Sequence, residues 1–116
     1  MAAKVLGDKA RGLAIAQVVP YPWGEVDPIV RDYRRLAEAG GTSIGYTSYE
    51  GYLSALVMIE ALKRCGRDLT RVKLHASLRS LKMHLANMEV DFTGGHETGS
   101  RFVDLVQVTF QGRFVR

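Results

Sequence analysis

The chain has 116 residues and a mass of 12.9 kDa, with 47% hydrophobic and 24% charged residues, which gives it the material for a core and excludes a disordered or low-complexity protein. Sixteen Lys and Arg against twelve Asp and Glu leave a formal charge of +4, a small and scattered excess rather than a concentrated anion-binding patch. The one cysteine, Cys65, excludes an internal disulfide, and no repeat with a period of about 20 to 50 residues occurs.

Near the start, Leu13 to Ala16 and Val18 to Pro20 form an apolar run broken by Gln17, far short of the roughly 20 residues of a membrane span. Met1 to Gly12 carries Lys4, Asp8, Lys9 and Arg11 among few apolar residues, so no signal peptide is expected in this chain. Leu13 to Val19 reads as a strand covered on both faces and stopped by Pro20-Tyr21-Pro22. Asp27 before Pro28 is an N-cap with proline at the first helical position. Ile29, Val30, Tyr33, Leu36 and Ala37 then share a helix face, and Gly40-Gly41 ends the helix.

A short segment, Thr42 to Tyr46, bracketed as a strand, leads to Thr47-Ser48-Tyr49-Glu50, which fits a capping box. The helix from Gly51 to Leu62 has Glu60 as its one charge, so cover on most sides is expected until Lys63-Arg64 and Gly66 close it. Asp68 or Thr70 caps a third helix to about Leu81, with Val72, Leu74, Leu78 and Leu81 inward and Arg71, Lys73, Arg79 and Lys82 outward. Met88, Val90 and Phe92 alternate with Glu89 and Asp91 as a half-buried strand. Phe102 to Phe110 is a second strand, and Gln111-Gly112 turns it into a short final one, Arg113 to Arg116. The fold class is α/β, in the order βα(β)ααβββ.

The glycine-rich stretch Gly94 to Gly99 lies between strands rather than before a helix, so it reads as a hairpin connection and not as a phosphate cradle. His75, His84 and His96 are too far apart in sequence for a helical metal pair, and Cys65 has no CxxC partner. No metal, cofactor or catalytic group is therefore expected, and the chain reads as a non-enzyme. Tyr21, Trp23, Tyr46, Tyr49 and Tyr52 gather aromatic surface at two chain reversals, where core packing and ligand stacking are equally open.

The runs ARGLAIAQVVPYPW, DPIVRDYRRLAEAG, GYTSYEGYLSALVMIEALKRCGRDLT and HETGSRFVDLVQVTFQGRFVR together resemble the type 1 periplasmic binding proteins of ABC importers, the branched-chain amino acid (Leu/Ile/Val) binding group in particular. The most specific element is a Tyr-Glu-Gly-Tyr helix start followed by an Ala-Leu-x-x-Cys-Gly helix end. The resemblance implies a Rossmann-like, three-layer fragment equivalent to the C-terminal third of a two-lobed receptor, without a complete cleft. It implies an amino-acid-like small-molecule ligand, an ABC permease as partner and a periplasmic location. It places ligand contacts at Ile44, Gly45, Tyr46, Thr47 and Ser48, to which the aromatic reading adds Tyr21 and Trp23. The residues that would grip the α-amino and α-carboxylate groups have no counterpart here, so weak or no binding by the chain alone is expected. Uncovered apolar faces also suggest a homo-oligomer, and a self-assembling structural module is the main alternative. A nucleic-acid binder using Arg71, Lys73, Arg79 and Lys82 is a more distant one.

Overall fold

A computed structural model describes residues 5–95, 97–109 and 113–115. After a 3-10 turn at Gly7–Ala10 come β1 (Ala14–Gln17), α1 (Pro28–Ala39), α2 (Tyr46–Cys65), α3 (Arg71–Arg79), β2 (Lys82–Leu85), β3 (Met88–Asp91), β4 (Asp104–Val108) and β5 (Phe114–Val115). The strands form two antiparallel sheets, one ordered β1-β4-β5 and the other a β2-β3 hairpin. This is the expected mixture of helices and strands, with two local differences. Thr42 to Gly45 forms no strand, and Lys82 to Leu85 forms one that the sequence reading left out.

Local chemistry sets the helix ends. The Asp27 carboxylate accepts from the Ile29 N–H at 2.8 Å with Pro28 in the first turn, and Gly40 closes α1. Thr70, of the two candidates, caps α3 by accepting from the Lys73 N–H at 3.1 Å. The capping box does not form. Thr47 and Glu50 lie within α2, whose N-cap is Gly45, and the Ser48 hydroxyl turns back to donate to the Ser43 carbonyl at 2.8 Å.

Val30, Tyr33 and Ala37 of α1 and Tyr49 and Leu53 of α2 meet Leu85, Met88 and Val90 of the hairpin in the core. Three burial expectations fail here, in whole or in part. In α2 only Tyr49, Leu53 and Ala61 are fully buried, and Met58 and Ile59 are exposed, because a helix's composition records which faces require cover but not whether the chain supplies it. In α3 Val72 is 80% exposed rather than inward, whereas Leu74 and Leu78 are half-buried and Leu81, just beyond the helix, is fully buried; the Ser77 hydroxyl donates to the Ala61 carbonyl of α2 at 2.8 Å. β1 is likewise covered on one face, as its alternating exposure shows.

Two further expectations change. Gly94 to Gly99 is no hairpin connection, since β3 pairs with β2 whereas β4 pairs with β1 and β5, and so the loop passes from one sheet to the other. His96, within it, and the turn Gln111-Gly112 lie outside the described residues. Lys82 is not on a helix: it sits in β2 with its ammonium 3.5 Å from Glu89 and 4.0 Å from Asp91, which breaks the proposed basic helix face.

The β2-β3 turn is made by Ala86 and Asn87 with φ of 51° and 64°, the left-handed pair of a tight hairpin. Asn87 is exposed, so its conformation rather than its packing matters. Asn87→Val is expected to cost about 1–2 kcal/mol, because a β-branched residue resists this region, and Asn87→Gly to cost nothing; urea unfolding midpoints check both.

Candidate functional site

The segment before α2 is held from a distance. Tyr33, in the middle of α1, is buried, and its hydroxyl accepts from the Gly45 N–H at 2.9 Å while lying 3.1 Å from the Gly45 carbonyl and 2.5 Å from the Ser48 hydroxyl. With the Ser48 proton donated to Ser43, the Tyr33 proton is left for Ser48 or the Gly45 carbonyl. One phenol thus fixes both the loop backbone and the first turn of α2.

The fixed segment presents Tyr46 to an aromatic cluster. Trp23 stacks on Phe114 at a centroid distance of 5.6 Å and 20° between planes, and meets Tyr46 edge-on at 5.4 Å and 82°. Tyr21 lies 5.3 Å from Trp23, and its hydroxyl makes a long contact, 3.5 Å, to the Phe114 carbonyl. Tyr46 also meets Phe114 at 5.7 Å, edge-on. The structure therefore brings Tyr21, Trp23 and Tyr46 together, with Ile44, Gly45 and Ser48 half-buried beside them and Thr47 exposed. Phe114 completes the cluster and was absent from the sequence reading. The short final strand that carries it was legible as a hairpin partner of β4, but its approach to Tyr21, 93 residues away in sequence, has no local signature.

Tyr49 and Tyr52 belong elsewhere. They stack with each other at 6.5 Å and pack on Tyr33 at 4.8 and 5.6 Å, so this half of the aromatic surface is core. Burial raises the Tyr49 phenol well above its ordinary value of 10.0, with nearby Asp27 adding to the effect, and raises Tyr52 in the same direction. The Tyr49 hydroxyl is buried without a hydrogen-bond partner among the described residues.

A separate groove of about 500 Å³ lies between α2 and the segment from Thr98 to Val103, floored by Met88, Val90 and Phe92. It shares no residue with the aromatic cluster. Gly99 belongs to its wall, and a Cβ there would collide with the Phe92 ring. Among the described residues no group of three or more His, Cys, Asp or Glu side chains is placed to hold a metal, and no helix is long and apolar enough to cross a membrane.

The aromatic cluster and its fixed loop offer apolar contact and hydroxyls but no ionised side chain among the named residues, so they suit an uncharged part of a ligand. Comparison with known proteins gives this surface a context. The profile of the periplasmic binding protein family matches residues 2–113. The chain belongs to that family. Among solved structures, a substrate-binding periplasmic protein from Ralstonia solanacearum is similar at 31% identity and a TM-score of 0.85, over 97% of this chain and 33% of that one. An extracellular ligand-binding receptor from Verminephrobacter eiseniae matches at 28% identity and a TM-score of 0.81, over 98% of this chain and 34% of its own. A possible leucine/isoleucine/valine-binding protein from Rhodopirellula baltica shares the fold at 22% identity and a TM-score of 0.85, over 97% of this chain and 32% of its own. This member of the family thus spans about a third of the length of the binding proteins it matches. No curated protein matches it.

Three outcomes are expected of these contacts. Tyr33→Phe strands the Gly45 amide and costs about 1–3 kcal/mol in urea unfolding. Tyr49→Phe removes a buried hydroxyl that has no partner and leaves stability unchanged or slightly raised. Because the folded state holds the Tyr49 and Tyr52 protons more tightly than the unfolded chain, stability is fully present below pH 10 and is lost progressively as pH rises beyond it. Tyr49→Phe flattens that alkaline decline in a pH series of unfolding midpoints.

Gly99→Ala pushes on the Phe92 ring and is expected to destabilise by about 1–3 kcal/mol. Combination with Phe92→Leu recovers part of the loss in a double-mutant cycle, which separates crowding of the ring from an effect on the loop backbone.

Proposed function

We propose that this chain supplies one wall of the solute cleft of an importer's binding protein, and that the solute is an amino acid with an aliphatic or aromatic side chain or a related small carboxylate. The observation that carries the reading is the cluster of Tyr21, Trp23, Tyr46 and Phe114 beside a loop pinned by Tyr33. Rigid rings give a large apolar contact at small entropic cost, and a preset loop loses little freedom on binding. Family membership and the similarity to a substrate-binding periplasmic protein and an extracellular ligand-binding receptor support a solute-binding role, and the apolar character of the cluster supports the side-chain class.

In this reading Ile44, Gly45, Tyr46, Thr47 and Ser48, with Tyr21 and Trp23, face the side chain of the solute. The zwitterionic end requires charged and hydrogen-bonding partners from outside these residues, so the chain alone binds weakly or not at all. The protein works without chemistry of its own, in the periplasm, and passes its solute to an ABC permease. Self-association is the second reading, favoured by the exposure of Met58, Ile59 and Leu105.

The test is a chimera in which this chain replaces the matching third of the R. solanacearum protein, titrated calorimetrically with leucine, isoleucine, valine and phenylalanine. Saturable binding of at least one of these is expected, with Trp23→Ala weakening it tenfold or more and Lys73→Ala leaving it unchanged. A folded chimera that binds none of the four, or one indifferent to Trp23→Ala, contradicts the reading.

A further inference from the structure

The formal charge of +4 proves not to be scattered along the chain. Residues 60–79, from the last turns of α2 to the end of α3, hold Lys63, Arg64, Arg67, Arg71, Lys73 and Arg79 against Glu60 and Asp68, a net +4. The other ten Lys and Arg are matched by ten Asp and Glu, so this one stretch carries the whole excess. Arg64 is engaged by Glu60 at 3.0 Å. Lys63, Arg67, Arg71, Lys73 and Arg79 are exposed and make no ion pair among the described residues. Lys82, the next cation along the chain, is committed to Glu89 and Asp91 and bounds the patch.

Two of these cations stand where the fold gives them no use. Lys63 and Arg64 fall in the last turn of α2, where a helix dipole favours positive charge. Arg71 and Lys73 occupy the first turn of α3, where the dipole disfavours it, and no acidic residue stands there. The side that α3 turns to solvent adds apolar surface to this charge. Leu74, Ser77 and Leu78 are half-buried, and Ser77 ties their side of the helix to α2. With about 100° between successive residues, Val72, Ala76 and Arg79 stand opposite, with Arg71 and His75 along one margin and Lys73 along the other. Val72 is 80% exposed, and Leu69, in the connection before Thr70, is 53% exposed.

We propose that the connection at residues 66–70 and the outward side of α3 form a docking surface for the anionic face of a phospholipid bilayer. Arg67, Arg71, Lys73 and Arg79 meet the headgroup phosphates, and Leu69 and Val72 enter the boundary between headgroups and hydrocarbon. The charge selects an anionic partner. The two aliphatic side chains set among the cations select a bilayer, which offers phosphates and hydrocarbon side by side, over an acidic protein surface, whose carboxylates would leave Val72 in water. Such docking is peripheral and requires no spanning helix, and among the described residues no helix is long and apolar enough to be one. The proposal goes beyond the solute-binding reading and does not depend on it.

The test is sedimentation of the 116-residue chain with vesicles of phosphatidylcholine alone, or of seven parts phosphatidylcholine to three parts phosphatidylglycerol, with no solute added. Binding to the anionic vesicles at least tenfold tighter than to the neutral ones is expected, falling at least tenfold as salt rises from about 0.05 M to about 0.5 M. Arg71→Glu with Lys73→Glu weakens it at least tenfold while the urea midpoint stays the same or rises, because acidic residues suit the first turn of a helix. Arg31→Glu with Arg35→Glu, at exposed positions of α1, makes the same change in net charge and weakens binding less than about threefold. Val72→Ser weakens it about threefold or more. Equal binding to the two kinds of vesicle overturns the proposal, and so does a loss on the α1 reversal as large as that on the α3 reversal. Binding to soluble polyglutamate as tight as to the anionic vesicles makes the partner an acidic polypeptide and overturns it. A Val72→Ser chain that binds the vesicles unchanged overturns it too. Since no solute is present, a wrong solute class leaves the result untouched.

Discussion

The Tyr33 hydroxyl is the contact on which the arrangement of this chain turns. Gly45 has extended backbone and no side chain with which to anchor itself, and α2 starts without a side-chain cap. The phenol from α1 supplies what local sequence does not, accepting from the Gly45 N–H and reaching Ser48 in the next turn. Since Asp27 and Pro28 set the start of α1, the path from sequence to site runs through one helix cap, one buried ring and one loop. Tyr46 then meets Trp23 edge-on as a consequence of where α2 begins.

The same chain is economical in its interior and generous at its surface. Its core is a small set of residues where α1, α2 and the β2-β3 hairpin meet, and the aromatic cluster adds a second point of closure through Phe114. Between and beyond them lie exposed apolar residues of α2, β4 and the segment before β4. For a binding protein this division has a use. Solute clefts lie between bodies, and under the proposed function the pinned loop and aromatic cluster would give such a cleft one locally rigid wall.

What could be read from the sequence follows the range of the interactions involved. Asp27 and Thr70 were legible because a cap is a contact over two or three residues. The alternation of Met88 to Phe92 gave β3, but its partner was missed because Ala86-Asn87 lacks the glycine that usually marks a left-handed turn, and Lys82 to Leu85 continues the polar and apolar texture of the preceding helix. Thr47 to Glu50 satisfied the capping-box pattern and yet lost to a tyrosine more than a dozen residues away, a competition invisible to a local rule. Of the five aromatic residues singled out, Tyr21, Trp23 and Tyr46 gathered in one place and Tyr49 and Tyr52 in another, a partition that depends on which face of α2 meets α1. The apolar character of α2 was legible as well. Its cover was not, because composition records a requirement and only tertiary structure shows what meets it.

The measurement that bears most directly on this account exploits the single tryptophan of the chain. Trp23 labelled as 5-fluorotryptophan in this chain, joined by ligation to the unlabelled remainder of the R. solanacearum protein to give the assembled protein, yields one fluorine resonance from the middle of the aromatic cluster. The account predicts that titration with a branched-chain or aromatic amino acid moves this resonance saturably in the assembled protein, and hardly at all in the chain alone. Solute binding by the assembled protein that leaves the resonance where it was places the solute elsewhere and contradicts the assignment of this wall.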